Sequence, residues 1–296
     1  MRRLLTRLVM LIILIAAGGL WLTRAQRDGE AALAGLTPDL AHGEWVFNAA
    51  GCASCHMEEG ASDEAQHVLK GGQHFASPFG TFTAPNISSD AEAGIGDWSA
   101  LDLWNALHNG TSPDGRHYYP VFPYATYTRM QPQDVVDLHA YLATLPADPT
   151  PSGPHDLPFP FNIRLALGAW KLLYLDRGWV MQGDLNAEEQ HGRYLVEALG
   201  HCAECHTPRG ALGGLKTGAD WLTGAPNPDG RGSFPDLTPP AMSWSESDLV
   251  AYFETGFTPD FDVAGGHMAY VVENLSKLTD ADRSAIAAYL KRLPLD

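Results

Sequence analysis

Cysteine is scarce in this chain. There are 4 in 296 residues, too few for a disulfide framework at this length. Cations are scarce as well. Lys and Arg number 19 against 35 Asp and Glu, and Arg2, Arg3, Arg7, Arg24 and Arg27 stand at the very start, so the rest of the chain holds 14 cations against all 35 anions. Such a body repels phosphate backbones, which argues against nucleic acid and suits a basic protein partner. No Walker loop, dinucleotide fingerprint or Ser-His-Asp arrangement is found. Apolar residues are not scarce: at 45% they supply real cores and argue against wholesale disorder, and the length suits two domains.

The N-terminus reads as an address. After the basic start Met1–Arg7, Leu8–Leu22 gives 15 residues without a charge. That matches the apolar core of a signal peptide, or a short membrane anchor if Leu4 and Leu5 are included. Thr23-Arg24-Ala25 is a weak version of a cleavage pattern, and no Cys follows, which excludes lipoprotein processing. Residues 1–27 are therefore a signal or an anchor, and either one sends the body across the inner membrane.

The cysteines form two motifs, Cys52-Ala53-Ser54-Cys55-His56 and Cys202-Ala203-Glu204-Cys205-His206. Each is C-x-x-C-H, the attachment sequence of c-type haem. Two thiols at this spacing add to the two vinyl groups of one porphyrin, and the following His supplies a nitrogen to the iron. The rival readings are weaker. Paired zinc knuckles stand about 15–20 residues apart, whereas 146 residues separate these motifs. A thioredoxin-like pair needs a βαβ context, which is not apparent. The chain is thus expected to carry two covalently bound haem c groups.

The surroundings of the two motifs repeat. His42-Gly43-Glu44-Trp45 leads to Cys52 as His191-Gly192-Arg193-Tyr194 leads to Cys202, with one extra residue in the second case. Trp98-Ser99 matches Trp244-Ser245, Gly110 with Pro113-Asp114 matches Gly256 with Pro259-Asp260, and Tyr141-Leu142 with Leu145-Pro146 matches Tyr289-Leu290 with Leu293-Pro294. Domain 1 spans 37–147, a linker 148–184, and domain 2 185–296. Acidic first turns at Thr37-Pro38-Asp39 and Asn186-Ala187-Glu188-Glu189 start helices. Ser99 and Ser245 read as N-caps for Leu101–His108 and Leu249–Glu254. Gln131-Pro132 and Thr279-Asp280 open the last helices. In the linker, Phe161–Leu175 reads as an apolar helix interrupted by Arg164 and Lys171, too short and too charged to span a bilayer.

Each iron takes a sixth ligand or stays open. A thioether normally comes from a loop before the C-terminal helix, which selects Met130 for the first haem and Met268 for the second. Met242 is the alternative to Met268, although Met130 aligns with Leu278 in the repeat. His67, His74, His108, His117 and His139 are rivals in the first domain. Trp98 and Trp244 are candidates to line the haem pockets, with core packing an equal explanation. Arg209 is a candidate partner for a haem propionate or a surface residue.

Beyond the haem motifs, several segments resemble one family. They are Gly71-Gly72-Gln73, Phe79-Gly80-Thr81-Phe82, Pro85-Asn86-Ile87, Gly94 to Ser99, Tyr119 to Tyr124, Phe159 to Arg164 and Gly200 to Arg209. Together they resemble the cytochrome c subunit of bacterial membrane-bound alcohol, gluconate, sorbitol and aldehyde dehydrogenases, over roughly residues 40 to 294. That family commonly carries three haems, and this chain has motifs for two. The resemblance implies an all-α fold: two tandem class I cytochrome c domains joined by a helical linker, behind an N-terminal signal or anchor. It implies a redox subunit without substrate turnover of its own, on the periplasmic side of the inner membrane. Electrons would come from a dehydrogenase subunit and leave to quinone, another cytochrome or an oxidase. By position, Cys52, Cys55, His56 and Met130 would serve one haem, and Cys202, Cys205, His206 and Met268 the other. Alternatives are the dihaem subunit of a terminal oxidase, a peroxidase-type dihaem enzyme, and a free-standing electron shuttle.

Overall fold

With no acid and little polarity in its first 22 residues, the chain begins as an uninterrupted helix, α1 (Arg2–Leu22), whose side chains are all exposed. It is long and apolar enough to cross a membrane. The structure, a computed structural model, describes residues 2–293. Pro294, the residue that closes the second repeat in the sequence, lies outside the described residues.

Domain 1 contains α2 (Leu40–Ala49), α3 (Cys52–His56), α4 (Ala100–Asn109), α5 (Tyr124–Tyr127) and α6 (Pro132–Leu142). Side chains set several of the longer starts by taking the first free backbone N–H groups. Asp39 accepts from the N–H groups of Ala41 and His42 at α2, and Ser99 forms a capping box with Asp102 at α4. The linker contributes α7 (Ala166–Tyr174). Domain 2 repeats the plan with α8 (Ala187–Tyr194), α9 (Ala203–His206), α10 (Glu246–Thr255), α11 (His267–Leu275) and α12 (Asp280–Lys291). Capping boxes at Asn186, Ser245 and Thr279 begin α8, α10 and α12. A π-helical turn, Leu195–Leu199, carries α8 on toward the second cysteine motif.

The fold is largely helical, as anticipated, with departures of detail. Two short antiparallel hairpins are present. One pairs β1 (His74–Ser77) with β2 (Gly80–Thr83), the other β3 (Ala225–Pro226) with β4 (Ser233–Phe234). The linker helix covers 166–174 rather than 161–175. Pro158 and Pro160 keep their predecessors out of helical conformation, and Phe161 and Ile163 instead close tight turns on the carbonyls of Pro158 and Pro160. The start of the linker is part of domain 1's surface: Asn86 donates to the carbonyls of Asp148 and Thr150, each at 2.8 Å, and Asp156 pairs with Thr81.

In each domain the first helix crosses the last at a glycine. A Cβ on Gly43 would lie 2.2 Å from the Asp137 carbonyl oxygen, and one on Gly192 would lie 1.9 Å from that of Ala285. The two domains then meet through a reciprocal network. His42 pairs with Asp134 at 2.8 Å inside domain 1, and Tyr194 of domain 2 donates to the same carboxylate. His191 pairs with Asp282 at 2.6 Å inside domain 2, and Trp45 of domain 1 donates to it at 3.0 Å. His42 stacks on Trp45, with ring centroids 5.0 Å apart.

Burial works against the Asp282 carboxylate, but hydrogen bonds from His191, Trp45 and Thr279 outweigh it and hold its pKa below the ordinary 3.8. A depressed carboxylate pKa stabilises the fold fully above the ordinary carboxylate range, and that contribution is lost as pH falls through the lower folded value. Asp282→Asn is therefore expected to lower stability at pH 7 by about 1–3 kcal/mol, measured by denaturant unfolding. The gap to the parent should narrow below about pH 4. A gap independent of pH would show that the charge at this position is not what matters.

Candidate cofactor-attachment sites

The two cysteine motifs each sit on a single helical turn. Gly51, in the left-handed region at φ 62°, lets the chain turn from α2 into α3. This geometry puts both cysteines of a motif on one turn, with the histidine directly after. In α3, Ala53 and Ser54 are buried, whereas Cys52, Cys55 and His56 stay partly open. In the second motif Ala203 and His206 are buried and both cysteines are partly open.

Each histidine is aimed by a proline carbonyl. The Nδ1–H of His56 donates to the Pro85 oxygen at 2.8 Å, and that of His206 to the Pro235 oxygen at 2.8 Å, with the same separation of 29 residues in both domains. The carbonyl can only accept, so it fixes the proton on Nδ1 and leaves the Nε2 lone pair free for an iron. Burial pulls both imidazoles below their usual pKa, partly opposed by the carbonyl, which favours the neutral ligating form. Pro85 entered the sequence reading only within a family-resembling segment, and Pro235 did not enter it. The signal was present as Pro85-Asn86-Ile87 and Pro235-Asp236-Leu237 at a common offset from the two motifs.

No disulfide joins any of the four cysteines. Burial pushes Cys52 and Cys202 up to about 12, and burial together with the nearby Cys205 does the same to Cys55; Cys205 itself rises to about 11. Among the described residues no group of three or more His, Cys, Asp or Glu could hold a metal ion. The donor set fits haem attachment: two thiols per turn and one oriented imidazole with a free nitrogen.

Of the methionines, Met130 lies just before α6, 3% exposed, in a core that includes Trp104 and Tyr127. Met268 is not in a loop: it stands in the first turn of α11, partly buried. In the segment after Gly266, Met268, Val271, Val272 and Leu275 stand at helical apolar spacing, which loop-based reasoning passed over. Met242 packs partly buried against the core. Several histidine rivals are occupied elsewhere. His139 reaches the Trp98 carbonyl at 2.7 Å, His117 the Thr23 carbonyl at 3.0 Å, and His74 the Thr83 hydroxyl at 3.2 Å. His108 stacks on Trp104 at 4.2 Å. Trp98 and Trp244 are partly buried at the entrances to α4 and α10. Arg209 pairs with Glu204 of the second motif at 2.5 Å and donates to the Gly213 carbonyl at 2.8 Å.

The structure brings the two attachment turns together across the domain interface. Asn274 of α11 donates to the Ser54 hydroxyl at 2.8 Å, and His267 Nε2 lies 3.8 Å from the Cys55 sulfur. His201 donates to the Ala50 carbonyl at 3.2 Å, where Tyr127 also donates at 3.1 Å. His201 is the extra residue that interrupts the repeat before Cys202. That irregularity was the available sign of its role.

Comparison with known proteins agrees with the geometry. The cytochrome c family matches residues 40–146 and 190–294. A diheme cytochrome c-type protein of Cereibacter sphaeroides is 54% identical over 294 residues, 99% of either chain. The fructose dehydrogenase cytochrome subunit of Gluconobacter japonicus is 36% identical over 92% of this chain and 56% of its own length. The gluconate 2-dehydrogenase cytochrome c subunit of Pantoea cypripedii is 34% identical over 90% of this chain and 63% of its own. The chain thus spans little more than half the length of these two dehydrogenase subunits.

Proposed function

The chain belongs to the cytochrome c family and carries two covalently bound haem c groups, and from that premise we propose that it is the electron-transfer subunit of a membrane-bound dehydrogenase complex. It takes electrons from a catalytic dehydrogenase subunit on the periplasmic side and passes them to quinone or a downstream cytochrome. The observation that carries this reading is that the surroundings of the two attachment turns meet across the interface, with Asn274 of α11 bonded to Ser54 of the first turn and His201, just before the second motif, bonded to Ala50, just before the first. Haem tied to the two turns would supply a pair of one-electron ferric/ferrous couples. The chain's own part is to hold the two sites as neighbours in one rigid frame. Relatives named as dehydrogenase cytochrome subunits support the identity of the donor.

In this reading Cys52, Cys55 and His56 would hold the first haem, with Met130 supplying a thioether, and Cys202, Cys205 and His206 would hold the second, with Met268 supplying its thioether. In this assignment a thioether favours the ferrous state relative to a second imidazole. The ferric protein is expected to show a weak methionine–iron band at the red end of the spectrum, and Met130→Leu and Met268→Leu should each remove about half of it. A variant that leaves the band whole names a wrong ligand; peroxide turnover in the parent would move the reading toward an enzyme.

Helix α1 is retained as an anchor. The residues just behind it are built into the body. Thr23 receives His117, and a Cβ on Gly168 of α7 would lie 2.0 Å from the Thr23 oxygen. Asp28 accepts from Trp104 at 2.7 Å and from Asn109 at 3.0 Å. Cleavage after Ala25 would discard the first of these contacts. N-terminal sequencing of the mature protein should begin upstream of Thr23, with the protein pelleting with membranes; a start at Gln26 would refute retention.

The relay itself is testable by deleting this chain from its native host. Membranes should keep dehydrogenase activity toward an artificial dye and lose oxygen uptake driven by sugars, sugar acids or alcohols. Unchanged oxygen uptake with every such substrate would sink the proposed role.

A further inference from the structure

The repeat places the same loop after α4 and after α10. In domain 1 it is closed by a bridge between Thr111 and His117, and in domain 2 by a bridge between Phe257 and Val263. The surroundings of the two loops differ. A layer of polypeptide lies over the first. Arg27 donates to the Ser112 carbonyl at 2.7 Å, Arg164 to that of His117 at 3.0 Å, and Lys171 to those of Asn109 and Gly110 at 2.7 Å. Thr111 is 0% exposed and His117 6%.

No such layer covers the second loop among the described residues. Phe257, Phe261 and Val263 stand where domain 1 has Thr111, Gly115 and His117, and they are 60%, 96% and 57% exposed. Phe261 keeps the left-handed backbone of Gly115, φ 62° against 78°, a conformation that bulky residues adopt at a cost. Beside the loop is a cleft of about 320 Å³, adjoining the start of α11 and lined by Val263, Ala264 and Val272 together with Glu254, Glu273 and Ser276. Exposed Glu254, Asp260 and Asp262 surround the apolar patch.

We infer that this face is the docking surface for another protein, one that presents an apolar centre within a rim of Lys and Arg and exchanges electrons with the second haem. The inference rests on the relay reading. Three observations choose this occupant. Domain 1 shows that the fold covers this loop with polypeptide. The carboxylate rim attracts a basic protein and opposes an anionic bilayer. The membrane helix and the exposed Leu172 and Leu173 of α7 belong to the layer over the other loop, so membrane attachment is at domain 1.

The test uses the full-length protein with both haems and a basic monohaem cytochrome c, such as the mitochondrial protein, as redox partner in stopped-flow mixing. Phe261→Asp with Val263→Asp is compared with Leu172→Asp with Leu173→Asp. The first pair is expected to slow electron exchange at low salt by about tenfold or more, the size of a lost interface anchor. Haem content and the methionine–iron band should be unchanged, and the parent rate should fall as salt rises. The second pair should leave the rate as it is. Equal rates in all three proteins would overturn the inference. So would release of the first pair from membranes, which would make the occupant lipid, or a parent dimer that the first pair dissociates, which would make it a second copy of the chain. These measurements need no dehydrogenase, so they stand or fall separately from the identity of the electron donor.

Discussion

The contact on which the rest of the molecule depends is the crossing of the first and last helix of each repeat at Gly43 and Gly192, where a Cβ would run into the carbonyl of Asp137 or Ala285. Backbone packed against backbone has little freedom to slide. The residue before each glycine is His42 or His191, and the residue three before each crossed carbonyl is Asp134 or Asp282. The crossing therefore sets the His–Asp pairs in register at 2.8 and 2.6 Å. Trp45 and Tyr194, on the same faces of α2 and α8, then reach the carboxylate of the opposite domain. The arrangement of the two domains follows from the packing inside each one.

What that frame delivers is a fixed relation between two cysteine turns. Each turn follows directly from a first helix held at its glycine, so an interface between these helices brings the turns together as well. Side chains complete the contact: Asn274 on Ser54, His201 and Tyr127 on the Ala50 carbonyl. Buried carboxylates are a costly way to join domains unless every oxygen is satisfied. Here His, Trp, Tyr and backbone donors satisfy them, and the requirement for all these partners at once makes the docking specific. Electron relay asks for this kind of rigidity, since the protein has to hold two sites rather than reshape one.

Much of this was legible in the chain. Ser99 and Ser245 cap as their positions suggested, and the helix openings read at Asn186 and Thr279 are made by capping side chains as well. The repeat gave the two-domain plan, and the spacing C-x-x-C-H is close to a statement of chemistry. Features that depend on distant contacts were not legible. The hairpin of His74–Thr83 has strands of four residues each, too short for an alternating pattern to stand out. Helix α11 has no capping side chain at its start, because its N-cap is Gly266. The proline carbonyls that aim His56 and His206 act through their backbone, and a backbone acceptor leaves no mark in the sequence beyond its position.

The duplication also separates what the chemistry requires from what the environment tunes. The crossing glycine, the capped helices, the cysteine turn and the histidine held by a carbonyl occur in both halves. Exposure does not match between them. His56 is partly open while Met130 is 3% exposed, and His206 is 8% exposed while Met268 is only partly buried. With the ligands proposed here, the two irons would share their donor atoms and differ in how water and charge reach them. Solvent exposure and nearby charge set the potential of such a centre as much as ligand identity does.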